Sequence, residues 1–135
     1  MKLTRAATYG ISAAAHLANA PAGEVVSNMT ICNAYEMPDR FVAQIMRLLV
    51  SAGIVKSTRG AYGGFTLAKP ANKITLLEIV EAIDGPISAN GDVELAGLSK
   101  DSTATVEKAL AAIEADARKR LAAVTLSGLR AAKAA

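Results

Sequence analysis

Apolar and polar positions follow a helical period between residues 38 and 52. With Pro38 as the first helical residue, an apolar stripe recurs at i, i+4, i+7 and i+11, formed by Phe41, Ile45, Leu48 and Ala52. The opposite face carries Arg40, Ala43, Gln44 and Arg47. Cations suit phosphates, an amide can read adenine edges and a small residue permits close approach. In isolation the pattern is more typical of a core helix with a solvated face, so its neighbours must decide whether it reads DNA.

The residues after this helix predict a tight stop and a small basic hairpin. Gly53 stands where a helix end takes a left-handed residue. Residues 54–55 and 65–67 read as two short strands around a glycine-rich turn that contains Arg59. The turn lacks the Lys-Ser/Thr pair of a phosphate-binding loop. Its glycines would instead let the tip approach a sugar-phosphate backbone, with Arg59 in a narrow minor groove.

The amino-terminal third predicts the rest of a helix-turn-helix. Thr4 caps a helix over residues 5–19, and residues 24–26 could form a short edge strand. Ser27 or Asn28 then caps a short helix that ends near residue 34. Three turn residues separate this helix from Pro38, which is the spacing of a helix-turn-helix pair.

The carboxyl-terminal part predicts an association segment. Thr75 caps a helix that stops at Asp84, and a polar linker with a turn at Asn90-Gly91 follows. A longer helix begins near Asp101 or Ser102. Its apolar seam consists of Val106, Leu110, Ile113, Ala117, Leu121 and Val124. Such a seam indicates subunit pairing, with folding back onto its own domain as the alternative. A last short helix is expected over residues 126–131, capped by Thr125.

Composition and charge sharpen this organisation. The chain has 135 residues, of which 52% are hydrophobic but only 4% aromatic, so its core must be aliphatic and a partner subunit is expected to add stability. Residues 1–70 hold seven basic and three acidic side chains, whereas residues 71–135 hold eight basic and nine acidic ones. The excess positive charge therefore belongs to the half that contains the reading helix.

Several function classes are disfavoured. The apolar run over residues 11–18 is too short to span a bilayer and follows no signal pattern, so we expect a cytoplasmic protein without membrane contact. The single cysteine, Cys32, excludes a disulfide within the chain and a multi-cysteine zinc site. No nucleophile, base and metal-ligand set converges, so an enzyme is not expected.

Three segments carry a family resemblance. Met1-Lys2-Leu3-Thr4, RGAYGGFTLAKP at residues 59–70 and ITLLEIVEAIDGPI at residues 74–87 resemble the Rrf2 family of bacterial winged-helix regulators. The resemblance implies a homodimer on a pseudo-palindromic operator in double-stranded DNA. The reading helix would lie in the major groove with Arg40 and Gln44 near bases, and Arg59 would enter the minor groove. Ala43 stands where a cluster-binding member has an acidic reader, so the preferred operator does not carry over.

The same resemblance makes an iron-sulfur cluster unexpected. Cluster-binding members supply three cysteines from the linker before the long helix, but residues 92–105 contain none. Asp92, Glu94 and Asp101 are too few and too loosely spaced to indicate a metal site instead. We therefore expect neither a cofactor nor a metal, and the sequence identifies no effector.

The sequence as a whole predicts a mainly α protein with a small β wing. Residues 1–85 would form a winged helix-turn-helix domain, and residues 86–135 a linker and a long dimerisation helix. The predicted function is a sequence-specific transcriptional repressor. The predicted DNA contacts are Lys2, Arg5, Pro38, Asp39, Arg40, Ala43, Gln44, Arg47, Lys56, Arg59, Gly60, Tyr62, Gly63 and Gly64. Lys2, Arg5, Arg47, Lys56 and Arg59 would contact phosphates, and Arg40 and Gln44 would discriminate between sequences.

Two alternatives remain open. Cys32 lies on the short helix next to the reading helix, where its oxidation or an intersubunit disulfide could shift that helix. If Cys32 has no redox role, it is expected to be a small buried apolar residue. The second alternative is a winged-helix module that binds protein and not DNA, which the basic bias of the first half disfavours.

Overall fold

The computed structural model describes residues 2–88 and 95–130, which form five α-helices, a two-stranded sheet and two 3-10 turns. Along the chain, three of these helices precede the hairpin and two follow it. In chain order the elements are α1 (Arg5–Asn19), α2 (Asn28–Tyr35), α3 (Asp39–Ser51), β1 (Val55–Thr58), β2 (Gly64–Leu67), a 3-10 turn (Ala71–Lys73), α4 (Leu76–Asp84), α5 (Lys100–Ala122) and a second 3-10 turn (Leu126–Gly128). The predicted mainly α fold with a β wing is confirmed.

Helix starts follow the local capping chemistry. The hydroxyls of Thr4, Ser27 and Thr75 each accept a hydrogen bond from the backbone N–H three residues later, at 3.0–3.1 Å, as predicted. The start of α5 was predicted too late. Ser99 is its N-cap and accepts from the Ser102 N–H at 3.1 Å, so the helix begins at Lys100.

The turn between α2 and α3 is tight. Glu36 takes the left-handed conformation, with φ 52° and ψ 40°, and ends α2. Pro38 has ψ 134° and is the N-cap of α3, so it precedes the first helical residue, Asp39, contrary to the prediction. Proline has no N–H to leave unpaired, which suits this boundary position.

The buried face of α3 is rotated from the predicted stripe. Val42, Ile45, Met46 and Leu49 are buried at i, i+3, i+4 and i+7, whereas Leu48 is 37% exposed and Ala52 is exposed. The prediction was therefore wrong for Leu48 and Ala52, whereas Ile45 is buried and Phe41 packs half-buried against the core. The error arises because apolar residues occupy a broad arc of this helix. Packing against α1, α2 and α4 selects which part of that arc enters the core.

The wing is an antiparallel pair in which Val55 faces Leu67 and Thr58 faces Gly64. Gly53 joins it to α3 with φ 76°, the left-handed conformation that was predicted. The expected edge strand is reduced to one bridge between Val26 and Phe65, with N–H···O distances of 2.8 and 3.0 Å. This bridge fastens the wing to the segment that leads into α2.

The carboxyl-terminal segment packs back against the residues that lead into α4. The Leu76 N–H donates to the Val124 carbonyl at 2.8 Å, and the Leu126 N–H donates to the Ile74 carbonyl at 2.9 Å. Leu126 is buried in the core of the winged domain. The last predicted helix is a single 3-10 turn, and the Thr125 hydroxyl pairs with that of Ser127 and makes no capping bond.

Two expectations cannot be compared with the described residues. The predicted Asn90-Gly91 turn and the end of the last predicted helix at residue 131 lie outside them. Within the described ranges no helix is long and apolar enough to cross a membrane.

Candidate nucleic-acid interface

The exposed face of α3 carries the predicted reading residues. Arg40, Gln44 and Arg47 are exposed and Ala43 is half-buried, on the side opposite the buried stripe. The same core packing that buries one face therefore presents two guanidinium groups and an amide along one ridge. These groups can donate to phosphate oxygens and to base edges.

The wing adds a second basic element directly after α3. Lys56 and Arg59 are exposed, and the Tyr62 side chain at the tip is 96% exposed. Gly60 has φ 113°, which side chains rarely allow. A tip built this way presents an arginine and a phenol, both able to donate to a phosphate.

Gly63 and Gly64 are required by the wing itself. A Cβ on Gly63 would lie 2.3 Å from the Thr58 carbonyl oxygen, and one on Gly64 would lie 2.3 Å from the Val26 carbonyl oxygen. Their lack of a side chain lets the hairpin and the Val26 bridge close. The expected contact of these two glycines with DNA stays a prediction.

Within the part of the chain that the structure describes, the cations of α3 and the wing form no ion pair. Among residues 2–88 and 95–130, ion pairs join Lys69 to Glu78, Arg118 to Glu81 and Arg120 to Asp116, at 2.7–3.0 Å. None involves Arg40, Arg47, Lys56 or Arg59. These four charges are therefore uncompensated by neighbouring carboxylates and available to an external polyanion.

Lys2 and Arg5 occupy a different position. Both are exposed at the start of α1, which Thr4 ties to the end of α4 by donating to Asp84 Oδ1 at 2.7 Å. Lys2 also lines a small cavity of about 200 Å³ together with Asp84. The structure thus groups Lys2 with the end of α4, and its contact with a phosphate stays a prediction.

Asp39 is turned toward α2. Its Oδ1 accepts a hydrogen bond from Asn28 Nδ2 at 2.5 Å and one from Cys32 Sγ at 3.6 Å. This contact was not predicted, since Asn28 and Asp39 are 11 residues apart and only the α2–α3 turn brings them together. The predicted DNA contact of Asp39 is untested, but its carboxylate is already engaged within the protein.

Cys32 is a buried neutral thiol. Its residue is 6% exposed, and burial, followed by the hydrogen bond to Asp39 and that residue's negative charge, raises the pKa of the thiol above its usual value of 9.0. The protonated form therefore predominates at neutral pH, and it is the thiolate that reacts. The burial of Cys32 agrees with the alternative expectation that this residue is a small apolar part of the core.

The predicted dimerisation seam lies mostly on α5. Ile113 is 59% exposed, Val106, Leu110, Ala117 and Leu121 are half-buried, and no residue of the 23-residue helix is fully buried. Val124 lies beyond the helix end and is 37% exposed, while its carbonyl pairs with Leu76. Arg118 reaches Glu81 at 3.0 Å, so part of α5 does fold back onto α4.

Comparison with known proteins identifies the family. The Rrf2 family, described as "Iron-dependent Transcriptional regulator", matches residues 3–132. Rv1287 of Mycobacterium tuberculosis (strain H37Rv), which is named as an HTH-type transcriptional regulator, is 30% identical over 128 residues that cover 94% of this chain and 80% of Rv1287. The HTH-type transcriptional regulator CymR of Bacillus subtilis is 33% identical over 88 residues, which are 65% of this chain and 64% of CymR.

Solved structures agree with the sequence relatives. The structure of B. subtilis CymR, titled as the global cysteine regulator, superposes with a TM-score of 0.76 and 26% identity and covers 94% of each chain. An IscR structure from T. potens superposes with a TM-score of 0.70 at 24% identity over 94% of this chain and 84% of that one, which supports the fold. The chain therefore belongs to the Rrf2 family of DNA-binding, winged-helix transcriptional regulators.

Proposed function

We propose that this regulator is a homodimeric, sequence-specific repressor that binds a pseudo-palindromic operator without an iron-sulfur cluster. The observation that carries the proposal is the row of exposed cations on α3 and the wing that form no ion pair with another described residue, Arg40, Arg47, Lys56 and Arg59. Arg40 and Gln44 would read bases in the major groove, and Arg59 would enter the minor groove. A dimer bound over a promoter would repress by excluding the polymerase.

The character of α5 supports the homodimer. A helix of 23 residues is about 34 Å long, and the protomer buries none of its residues completely. Ile113 in particular faces solvent in the protomer. Pairing through this seam would relate two reading helices by a two-fold axis, which suits half-sites about 34 Å, or a multiple of that, apart.

The residues present do not fit a cysteine-ligated iron-sulfur cluster. Such clusters are held mainly by thiolates, whereas this chain has one cysteine, on α2, whose thiol is buried and protonated. Within the described residues, no three His, Cys, Asp or Glu side chains are grouped as metal ligands. The proposed function therefore does not depend on iron, although the family is described as "Iron-dependent Transcriptional regulator".

The same thiol chemistry disfavours the redox alternative. A buried thiol whose pKa is raised reacts slowly with oxidants, because the thiolate is scarce and access is poor. The alternative of a protein-binding module is disfavoured by the exposed cations of α3 and the wing, which suit a polyanion.

A selection and salt-titration experiment tests the proposal. Wild-type protein would first enrich its operator from a pool of randomised duplexes, and gel shifts would then follow affinity between about 50 and 200 mM salt. Each phosphate contact contributes about −0.9 to the slope of log K against log salt, so ten contacts in a dimer give about −9. Arg59→Ala should weaken binding by about tenfold or more and make the slope shallower by about 1.8.

The matched control is Lys119→Ala, which removes an exposed cation from α5. It should leave both affinity and slope as in the wild type. A pool that never enriches a sequence would contradict sequence-specific binding. Affinity that does not change with salt would contradict the phosphate contacts, and unchanged binding by Arg59→Ala would remove the wing from the interface.

A further inference from the structure

We propose that Asn28 and Asp39 form a clamp that positions the first turn of the reading helix, so that Asp39 acts on operator specificity without touching DNA. The inference rests on the proposed DNA-reading role of α3 and assigns a positioning role within it. The clamp consists of the hydrogen bond from Asn28 Nδ2 to Asp39 Oδ1 at 2.5 Å. It joins the first residue of α2 to the first residue of α3.

The start of α3 has no side-chain cap of its own. Its N-cap is Pro38, which makes no side-chain hydrogen bond to the helix. The Asp39 carboxylate is therefore the polar group that anchors this turn, and a carboxylate at a helix N-terminus also opposes the helix dipole favourably. Without the clamp, the first turn of α3 would be held only by its backbone and its buried face.

The orientation of the Asn28 amide is dictated by Asp39. Asn28 Nδ2 also approaches Cys32 Sγ at 3.6 Å, while Asn28 Oδ1 is buried and has no hydrogen-bond partner among the described residues. The opposite amide orientation would point Oδ1 at the carboxylate, and two acceptors would face each other. The protein thus leaves one acceptor unpaired to keep a charge-assisted bond across the turn.

The position of Asp39 explains why an acid can stand at the DNA-facing end of a reading helix. A free carboxylate there would repel phosphates, but this one is bonded toward α2 by both Asn28 and Cys32. Arg40 follows Asp39 directly, and Gln44 lies one turn further along the same face. Base readout demands that such donors be held in place, so movement of the first turn should affect specific contacts most.

A double-mutant cycle on operator binding tests the clamp. Asn28→Ala, Asp39→Ala and the double variant would be titrated against the duplex enriched by wild-type protein and against a scrambled duplex at the same salt. Each single variant should lose about tenfold in operator affinity, with little change on the scrambled duplex. The double variant should be no worse than either single one, because both substitutions remove the same bond.

Conservative and control variants separate positioning from stability. Asp39→Asn keeps an acceptor for Asn28 and should recover part of the operator affinity. Asp101→Ala removes another acid from the first turn of a helix, and Asn72→Ala removes an exposed amide, and neither should change the operator-to-scrambled ratio. Thermal unfolding of every variant would ensure that binding is measured on folded protein.

Three results would overturn the clamp. Additive losses in the double variant would mean that the two residues act independently. Tighter binding of both duplexes by Asp39→Ala would mean that the carboxylate faces the phosphates. An equal loss on both duplexes would indicate a purely structural role. If wild-type protein enriches no sequence at all, the proposed function fails first, and that outcome is distinct from these three.

Discussion

At the scale of single residues, local environment decides chemistry that residue type leaves open. Cys32 could in principle be a redox-active thiol, but it is buried against the Asp39 carboxylate at 3.6 Å. Desolvation and a neighbouring negative charge both disfavour the thiolate. The interpretation of Asp39 changes as well: the sequence predicted a DNA contact, but its carboxylate accepts a hydrogen bond from Asn28 within the protein. Neither partnership follows from sequence spacing alone.

The raised pKa of Cys32 predicts a specific pH dependence of stability. The folded protein holds the thiol proton to higher pH than the unfolded chain, whose thiol ionises near 9.0. The stabilising contribution is therefore complete below that pH and is lost as pH rises toward the folded-state pKa. Urea unfolding from pH 7 to 10 should show a steeper decline above pH 9.0 for wild type than for Cys32→Ala. Parallel curves would contradict this assignment.

At the scale of elements, the wing is anchored by close backbone contact. Gly64 begins β2 and touches the Val26 segment, which carries the bridge to Phe65. The wing therefore depends on the strand-like segment before α2 as well as on its own hairpin. This coupling fixes where Arg59 emerges relative to α3.

Gly64→Ala should destabilise the protein. The added Cβ would lie 2.3 Å from the Val26 carbonyl oxygen and 2.6 Å from its carbon, and backbone cannot move aside cheaply. We expect a loss of about 1–3 kcal/mol in the free energy of unfolding, measured by urea denaturation. Gly128→Ala is the matched control, because a Cβ there meets nothing within 4 Å, and it should be neutral or slightly stabilising. Equal stability of both variants would be inconsistent with the close approach.

At the scale of the whole molecule, a buried core formed by the winged-helix elements contrasts with α5, none of whose residues is fully buried. The winged domain packs α1, α3 and α4 around buried aliphatic side chains and also buries Leu126 from the end of the chain. By contrast, α5 meets α4 and leaves Ile113 exposed. Ile113 lies next to the half-buried Leu110 and Ala117 on one side of α5, and a contiguous apolar strip of this kind, unlike a single exposed residue, suits the proposed subunit interface.

Ile113→Glu should convert the proposed dimer to monomer. A carboxylate at the centre of an apolar seam would have to be desolvated without a partner. Light scattering coupled to size exclusion at micromolar concentration would measure the mass. Ala115→Glu places the same charge on the exposed opposite side of α5 and should leave the dimer intact. A wild-type monomer, or a dimeric Ile113→Glu variant, would contradict the seam.

The sequence by itself determined the element order, three helix caps, the left-handed glycine after α3 and the basic wing. These features depend on residues within a few positions of each other, so local chemistry is enough to predict them. The polar face of α3 was predicted for the same reason, since a 3.6-residue period sorts Arg40, Gln44 and Arg47 onto one side.

Only the tertiary structure decided which apolar residues of α3 are buried, how Asp39 is used and where Val124 lies. Each depends on groups far apart in the chain: the packing of α1 and α4, the Asn28 amide, and the backbone pairing of Val124 with Leu76. A broad apolar arc allows several rotations of a helix, and a free energy summed over distant contacts selects one of them. The proposed reading helix was therefore recognisable from its own residues, but its orientation was set by its neighbours.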